Sequence, residues 1–157
     1  MLWRFSGTND PGVAHRIVKF RLILPWRDAD FPVLLKLADK ALAASPSHED
    51  MPLFQLTKGL VEFRRGNFAA AAEWADRALD APSLYYHHAL ASMVLAMSRH
   101  KLGEQVAARL AFDQGSEYIR TQVPRLDADE IGPNWVDPII AYALEREARA
   151  MLGLDEQ

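Results

Sequence analysis

Residues Pro52–Pro82 read PLFQLTKGLVEFRRGNFAAAAEWADRALDAP. Apolar and small residues recur three and four apart on both sides of Gly66-Asn67. The spacing predicts a helix from Met51 to about Arg65 and an alanine-rich helix from Phe68 to about Ala81, closed by Pro82. Asp50, just ahead of Met51 and Pro52, reads as the cap of the first helix. So short a turn leaves the two helices antiparallel. The glycine supplies the positive φ that ends the first helix before the second begins. Gly59 and Ala71 fit a close crossing, because larger side chains there would hold the two backbones apart.

Outward from this hairpin the pattern recurs with a period of 37 residues: Gly66 pairs with Gly103, Ala71 with Ala108, Gly59 with Ala96 and Ala41 with Ala78. A fixed period of this length marks stacked units, since a lone hairpin cannot cover its own apolar face. Upstream, Asp10 with Pro11 behind it predicts a helix start. Val13, Ile17, Phe20 and Leu24 fall three and four apart and predict one buried stripe, while Arg16, Lys19 and Arg21 occupy other angles. A second helix runs from about Asp30 to before Pro46. Downstream, helices over Leu84–Lys101 and Glu104 to about Thr121 flank a turn at Gly103, with Ser83 capping the first of them. Residues Val123 to Asn134 read as a loop, and a last helix runs from near Asp137 and Pro138 to about Leu152, stopped by Gly153.

These residues resemble the tetratricopeptide repeat. In the quoted unit Gly59 stands at the small position of the first helix, Phe63 near its aromatic position, Gly66 at the turn, and Ala71 at the second small position. Ala78 and Leu79 precede the closing proline. The next unit, His88 to Gly115, matches through Ala96, Leu102, Gly103, Ala108 and Phe112, with Gly115 where alanine is usual. The first unit matches mainly through LADKALAASP. The resemblance implies an all-α fold of about seven helices: a right-handed superhelix of antiparallel hairpins forming one domain over residues 1–157. Its units span about 10–46, 51–83 and 84–121, with a C-terminal capping helix over 137–152. TNDP, LILP, FQLTKGLVEFRRGNF, LAMSRHKLG and the Trp135–Ala148 segment further resemble the C-terminal tetratricopeptide region of certain large bacterial proteins. Many of those carry a serine/threonine kinase domain upstream. The likeness implies a scaffold region, with this chain a fragment or short relative of such a protein.

Composition narrows the function. Half of the residues are apolar and a quarter charged, the balance of a folded globular chain. A formal charge of -3 offers no basic field for nucleic acid or anionic lipid. There is no cysteine, which removes disulfides, thiolate zinc sites and a cysteine nucleophile. No apolar run is long enough to span a membrane, and Met1–Phe5 lacks the pattern of a secretory signal, so a cytoplasmic protein is expected.

The implied activity is binding. In this repeat family the first helix of each hairpin lines a concave face. That places Leu53, Leu56, Leu60, Phe63 and Arg64 in one unit, and Leu90, Met93, Met97, His100 and Lys101 in the next, around an apolar groove with a basic edge. Such a groove suits a peptide or protein segment with a few buried anchors. The same leucines and methionines are equally readable as core, since helical periodicity does not separate the two. The carboxylate clamp of chaperone-binding relatives is not reproduced at these positions.

No glycine-rich phosphate loop or catalytic loop of a kinase is present, so no ATP, other cofactor or catalytic residue is expected. Adjacent His87 and His88 point about 100° apart on a helix and cannot converge on one metal. His48, Glu49 and Asp50 lie in a loop. Asp127, Asp129, Glu130 and Asp137 read as a solvated loop plus a helix cap. Trp3, Trp74 and Trp135 read as packing residues, Trp135 laying the final helix over the sixth, and Trp26 as a contact residue. Two other readings compete with the scaffold: a small helical enzyme or metal-binding protein built on the histidines and carboxylates, and a homo-oligomerisation module using the terminal helices.

Overall fold

In a computed structural model, residues 7–21, 31–44, 47–82, 86–126 and 136–154 are described. They form seven helices and no strand: α1 (Pro11–Arg21), α2 (Phe31–Leu42), α3 (Met51–Arg64), α4 (Phe68–Leu79), α5 (His87–Lys101), α6 (Gln105–Gln122) and α7 (Val136–Met151). The all-α expectation therefore holds among these residues. Several ends expected from the sequence fall outside them, namely Leu24, Leu84 and the cap at Ser83, as do Trp3, Trp26, Trp135, Asp127, Asp129 and Glu130.

Local chemistry accounts for most boundaries. The Asp10 carboxylate accepts the Val13 N–H at 2.9 Å, so the first helix is capped as its sequence implies. Gly66 and Gly103 carry φ of +79° and +81°, the left-handed values that end α3 and α5 and let the chain reverse within a few residues. Asp50 departs from expectation. Its side chain makes no capping bond, and its backbone N–H instead donates to Nδ1 of His48 at 3.1 Å.

Helices pack in chain order, with α3–α4, α4–α5 and α5–α6 in the most extensive contact and α1–α3 and α3–α5 touching across hairpins. Small residues sit at the crossings. A Cβ on Gly59 would lie 3.2 Å from the Ala71 carbonyl oxygen and 3.4 Å from the Ala75 nitrogen, so glycine is what allows α3 and α4 this approach. At the α5–α6 crossing, a Cβ on Gly115 would meet the Met93 methyl at 2.7 Å and Ser92 Cβ at 2.9 Å. The methionine thus fills the space that the usual alanine would occupy.

Burial is continuous along α3 from Leu56 to Phe63, so this helix is enclosed by neighbours on every side. Its charged members are paired. Lys58 Nζ donates to Asp39 of α2 at 2.6 Å and lies 3.1 Å from Glu62, whose carboxylate also accepts from Arg65 and Asn67. Helix α7 meets α6, as expected from the sequence, but not α6 alone. It packs chiefly on α5 and less on α6, where the Arg149 guanidinium stands 5.1 Å from the centre of the Phe112 ring.

Candidate helix-binding face

One face of α3 repeats at helical spacing: Leu53, Thr57, Leu60 and Arg64. Each end of this stripe is fixed by a neighbour. Thr57 Oγ1 and His15 Nδ1 of α1 are 2.6 Å apart. Because the Thr57 hydroxyl already donates to the Leu53 carbonyl at 2.8 Å, it accepts from His15, which is therefore the Nδ1–H tautomer. At the other end, Arg64 grips Glu147 of α7 with both terminal nitrogens, Nη2 lying 2.7 Å from Oε2. Between them Leu60 is buried.

A second ion pair ties α7 to α1. Lys19 Nζ lies 2.5 Å from Asp137 Oδ1, with both side chains largely covered. Asp137 begins the buried stripe of α7, which continues through Ile140, Ala141, Leu144 and Ala148 at intervals of three and four. Read as a solvated cap in the sequence, Asp137 is instead a partner across the fold. A cavity of about 260 Å³ opens where α1, α3 and α7 meet, lined by Gly12, His15, Arg16, Lys19, Asp50, Leu53 and Asp137. Burial, followed by the nearby charges of Lys19 and Arg16, pushes the His15 imidazolium pKa down to about 3. His15 is neutral at physiological pH, packed against the Phe54 ring.

This geometry revises the groove expected from the sequence. Leu56, Leu60, Phe63, Leu90, Met93 and Met97 are only 0 to 6 % exposed, so they are core and do not line an open channel. Met93 is turned toward α6, where it meets Gly115. Leu53 and His100 are half-buried, Arg64 is engaged with Glu147, and Lys101 alone is fully at the surface. The face exists, but α1 and α7 lie across it.

The other candidates resolve separately. The His87 and His88 rings meet edge-on at 4.5 Å, and His88 Nε2 bonds the Ala81 carbonyl. Among the described residues no group of three histidines or carboxylates converges as a metal site would require. No described helix is long and apolar enough to cross a membrane. Trp74 is half-buried, with the Arg77 guanidinium 4.5 Å from its ring centre. Elsewhere, α6 exposes Val106 and Leu110 at 77 and 66 %, continuing Leu102 at the preceding turn.

No sequence signal singles out His15, Thr57 or Glu147, and Lys19 shows only as a cation outside the apolar stripe of α1. Nothing local says which acid each cation meets. Comparison with known proteins gives no match to any family model, curated protein or solved structure.

Proposed function

We propose that this chain is a protein-interaction module of the tetratricopeptide type, a right-handed stack of helix hairpins that binds a helical peptide or protein segment and performs no catalysis. The observation that supports this reading is the seat of α7. An amphipathic helix lies across elements of three successive hairpins, held by the Lys19–Asp137 and Arg64–Glu147 pairs. A surface that holds one helix by a buried stripe flanked by charge pairs has the chemistry to hold another. The resemblance to scaffold regions of larger bacterial signalling proteins points the same way, to a regulatory arm in the cytoplasm acting through protein partners and not through nucleic acid or membrane.

The test is selection of displayed amphipathic helical peptides on the intact chain. Enriched sequences should be acidic, and their binding should weaken on Lys101→Glu with the circular dichroism spectrum unchanged. Enrichment no greater than on an unrelated helical protein contradicts the reading.

A second reading is favoured by one observation, the exposed apolar stripe Leu102, Val106 and Leu110. It supports self-association through α6, in place of the terminal helices expected from the sequence. Light scattering at high concentration decides it: a monomer excludes the reading, and a dimer abolished by Val106→Asp supports it.

A further inference from the structure

Resting on the reading of the chain as an interaction module, we infer that α7 is the resident occupant of the face formed by α1, α3 and α5, and that the external partner is an acidic amphipathic helix that replaces α7 in the same register.

Charge complementarity fixes the chemistry of that partner. The receiving side supplies cations, Lys19 and Arg64, and α7 supplies the anions, Asp137 and Glu147. The two acids stand ten positions apart, about 15 Å along the axis. The acids flank a stripe in which the small residues Ala141 and Ala148 alternate with Ile140 and Leu144. A partner helix with acids ten apart and this alternation presents the same face.

The way α7 is held makes exchange accessible. Its close backbone contacts are with α5 and α6, whereas it reaches α1 and α3 with little more than the tips of long side chains. The ion pairs to α1 and α3 give way with little loss of packing, and the packing of α7 on α5 and α6 is regained only from a partner that presents the same stripe of Ile140, Ala141, Leu144 and Ala148. Further cations are exposed, Arg16 beside the cavity and Lys101 at the end of α5. An incoming acidic helix therefore meets attraction before it meets the seat. While α7 is seated, the apparent affinity for a partner falls by the fraction of molecules with the face free.

The probe is a capped, fluorescent peptide of the α7 sequence, VDPIIAYALEREARAMLGL, beside one carrying lysine in place of both Asp137 and Glu147. Each is titrated by anisotropy into the intact wild-type chain and into an intact Asp137→Lys/Glu147→Lys variant whose own α7 has lost both pairs. The native peptide should bind the variant at least tenfold more tightly than wild type, and the lysine peptide at least tenfold more weakly than the native one. Hydrogen exchange on the wild-type chain needs no variant to fold. Excess native peptide should lower the protection of amides in α7 at least tenfold while leaving α3 protected.

Equal affinity for both chains, with α7 protection unchanged, overturns the inference and places binding elsewhere, leaving the interaction-module reading intact. Absence of binding by the α7 peptide while selected peptides do bind has the same meaning. Failure of every peptide on both chains overturns the module reading as well.

Discussion

His15 on α1 donates its Nδ1–H to the hydroxyl of Thr57 on α3, and Thr57 in turn donates to the Leu53 carbonyl of its own helix. The hydrogen bonds orient the imidazole and fix its tautomer, while burial keeps it neutral. A protonated ring would carry its charge into a buried site beside Phe54 with Lys19 one helical turn away.

A pH dependence follows. In the unfolded chain His15 takes up a proton near its ordinary value of 6.5, whereas in the folded chain it does so only near 3. Its contribution to stability is therefore complete above pH 6.5 and is lost as pH falls from 6.5 toward 3. One proton taken up only by the unfolded state gives a slope of about 1.4 kcal/mol per pH unit inside that window. Urea unfolding of wild type and His15→Gln from pH 7.5 to 4 checks it. The wild type should lose stability faster than the variant below pH 6.5, and parallel profiles would mean that His15 is not held neutral.

Gly115→Ala should destabilise the chain, although alanine is the better helix former by about 1 kcal/mol. The new methyl collides with the Met93 methyl and with Ser92 Cβ, and only the first of these can swing away. A net loss of about 1 to 3 kcal/mol is expected, as for other overpacked helix crossings. Combining it with Met93→Leu, which removes the colliding methyl, should cost less than the sum of the two single changes. Strict additivity in denaturant melts would show that the crossing is looser than described.

Leu60→Asp and Val106→Asp separate core from surface. Both are apolar residues on amphipathic helices, but Leu60 is 3 % exposed and Val106 77 %. An unpaired carboxylate at Leu60 should cost more than about 3 kcal/mol, whereas Val106→Asp should stay within about 0.5 kcal/mol. Thermal melts of the two variants decide the matter. A well-folded Leu60→Asp chain would restore the open groove that the burial of Leu60 argues against.

The hairpins were legible because their determinants are local. Gly66 and Gly103 dictate left-handed turns wherever they stand, and Gly59 against Ala71 needs only two small residues at corresponding heights. The seat of α7 was not legible, because its partners lie far apart along the chain. Lys19 and Asp137 are separated by 118 residues, and Arg64 and Glu147 by 83. Periodicity places Leu60 and Arg64 on one face of α3 but is silent on what that face meets. The same blindness explains Asp137: an acid in the first turn of a helix has the sequence signature of helix-dipole stabilisation whether or not a lysine waits opposite. Periodicity leaves Met93 equally readable as groove or core, because nothing in its own helix reveals the missing Cβ at Gly115.

The seat of α7 across α3 depends on Arg64 meeting Glu147. A double-mutant cycle by charge exchange, Arg64→Glu, Glu147→Arg and both together, tests this most directly. Each single change sets two like charges face to face in a largely covered site and should cost about 1 to 3 kcal/mol in urea unfolding, with loss of amide protection along α7. The exchanged pair should recover most of that cost and the protection with it. Additive losses in the double variant, with α7 protected equally in all four chains, would contradict the account, because the two residues would then not meet.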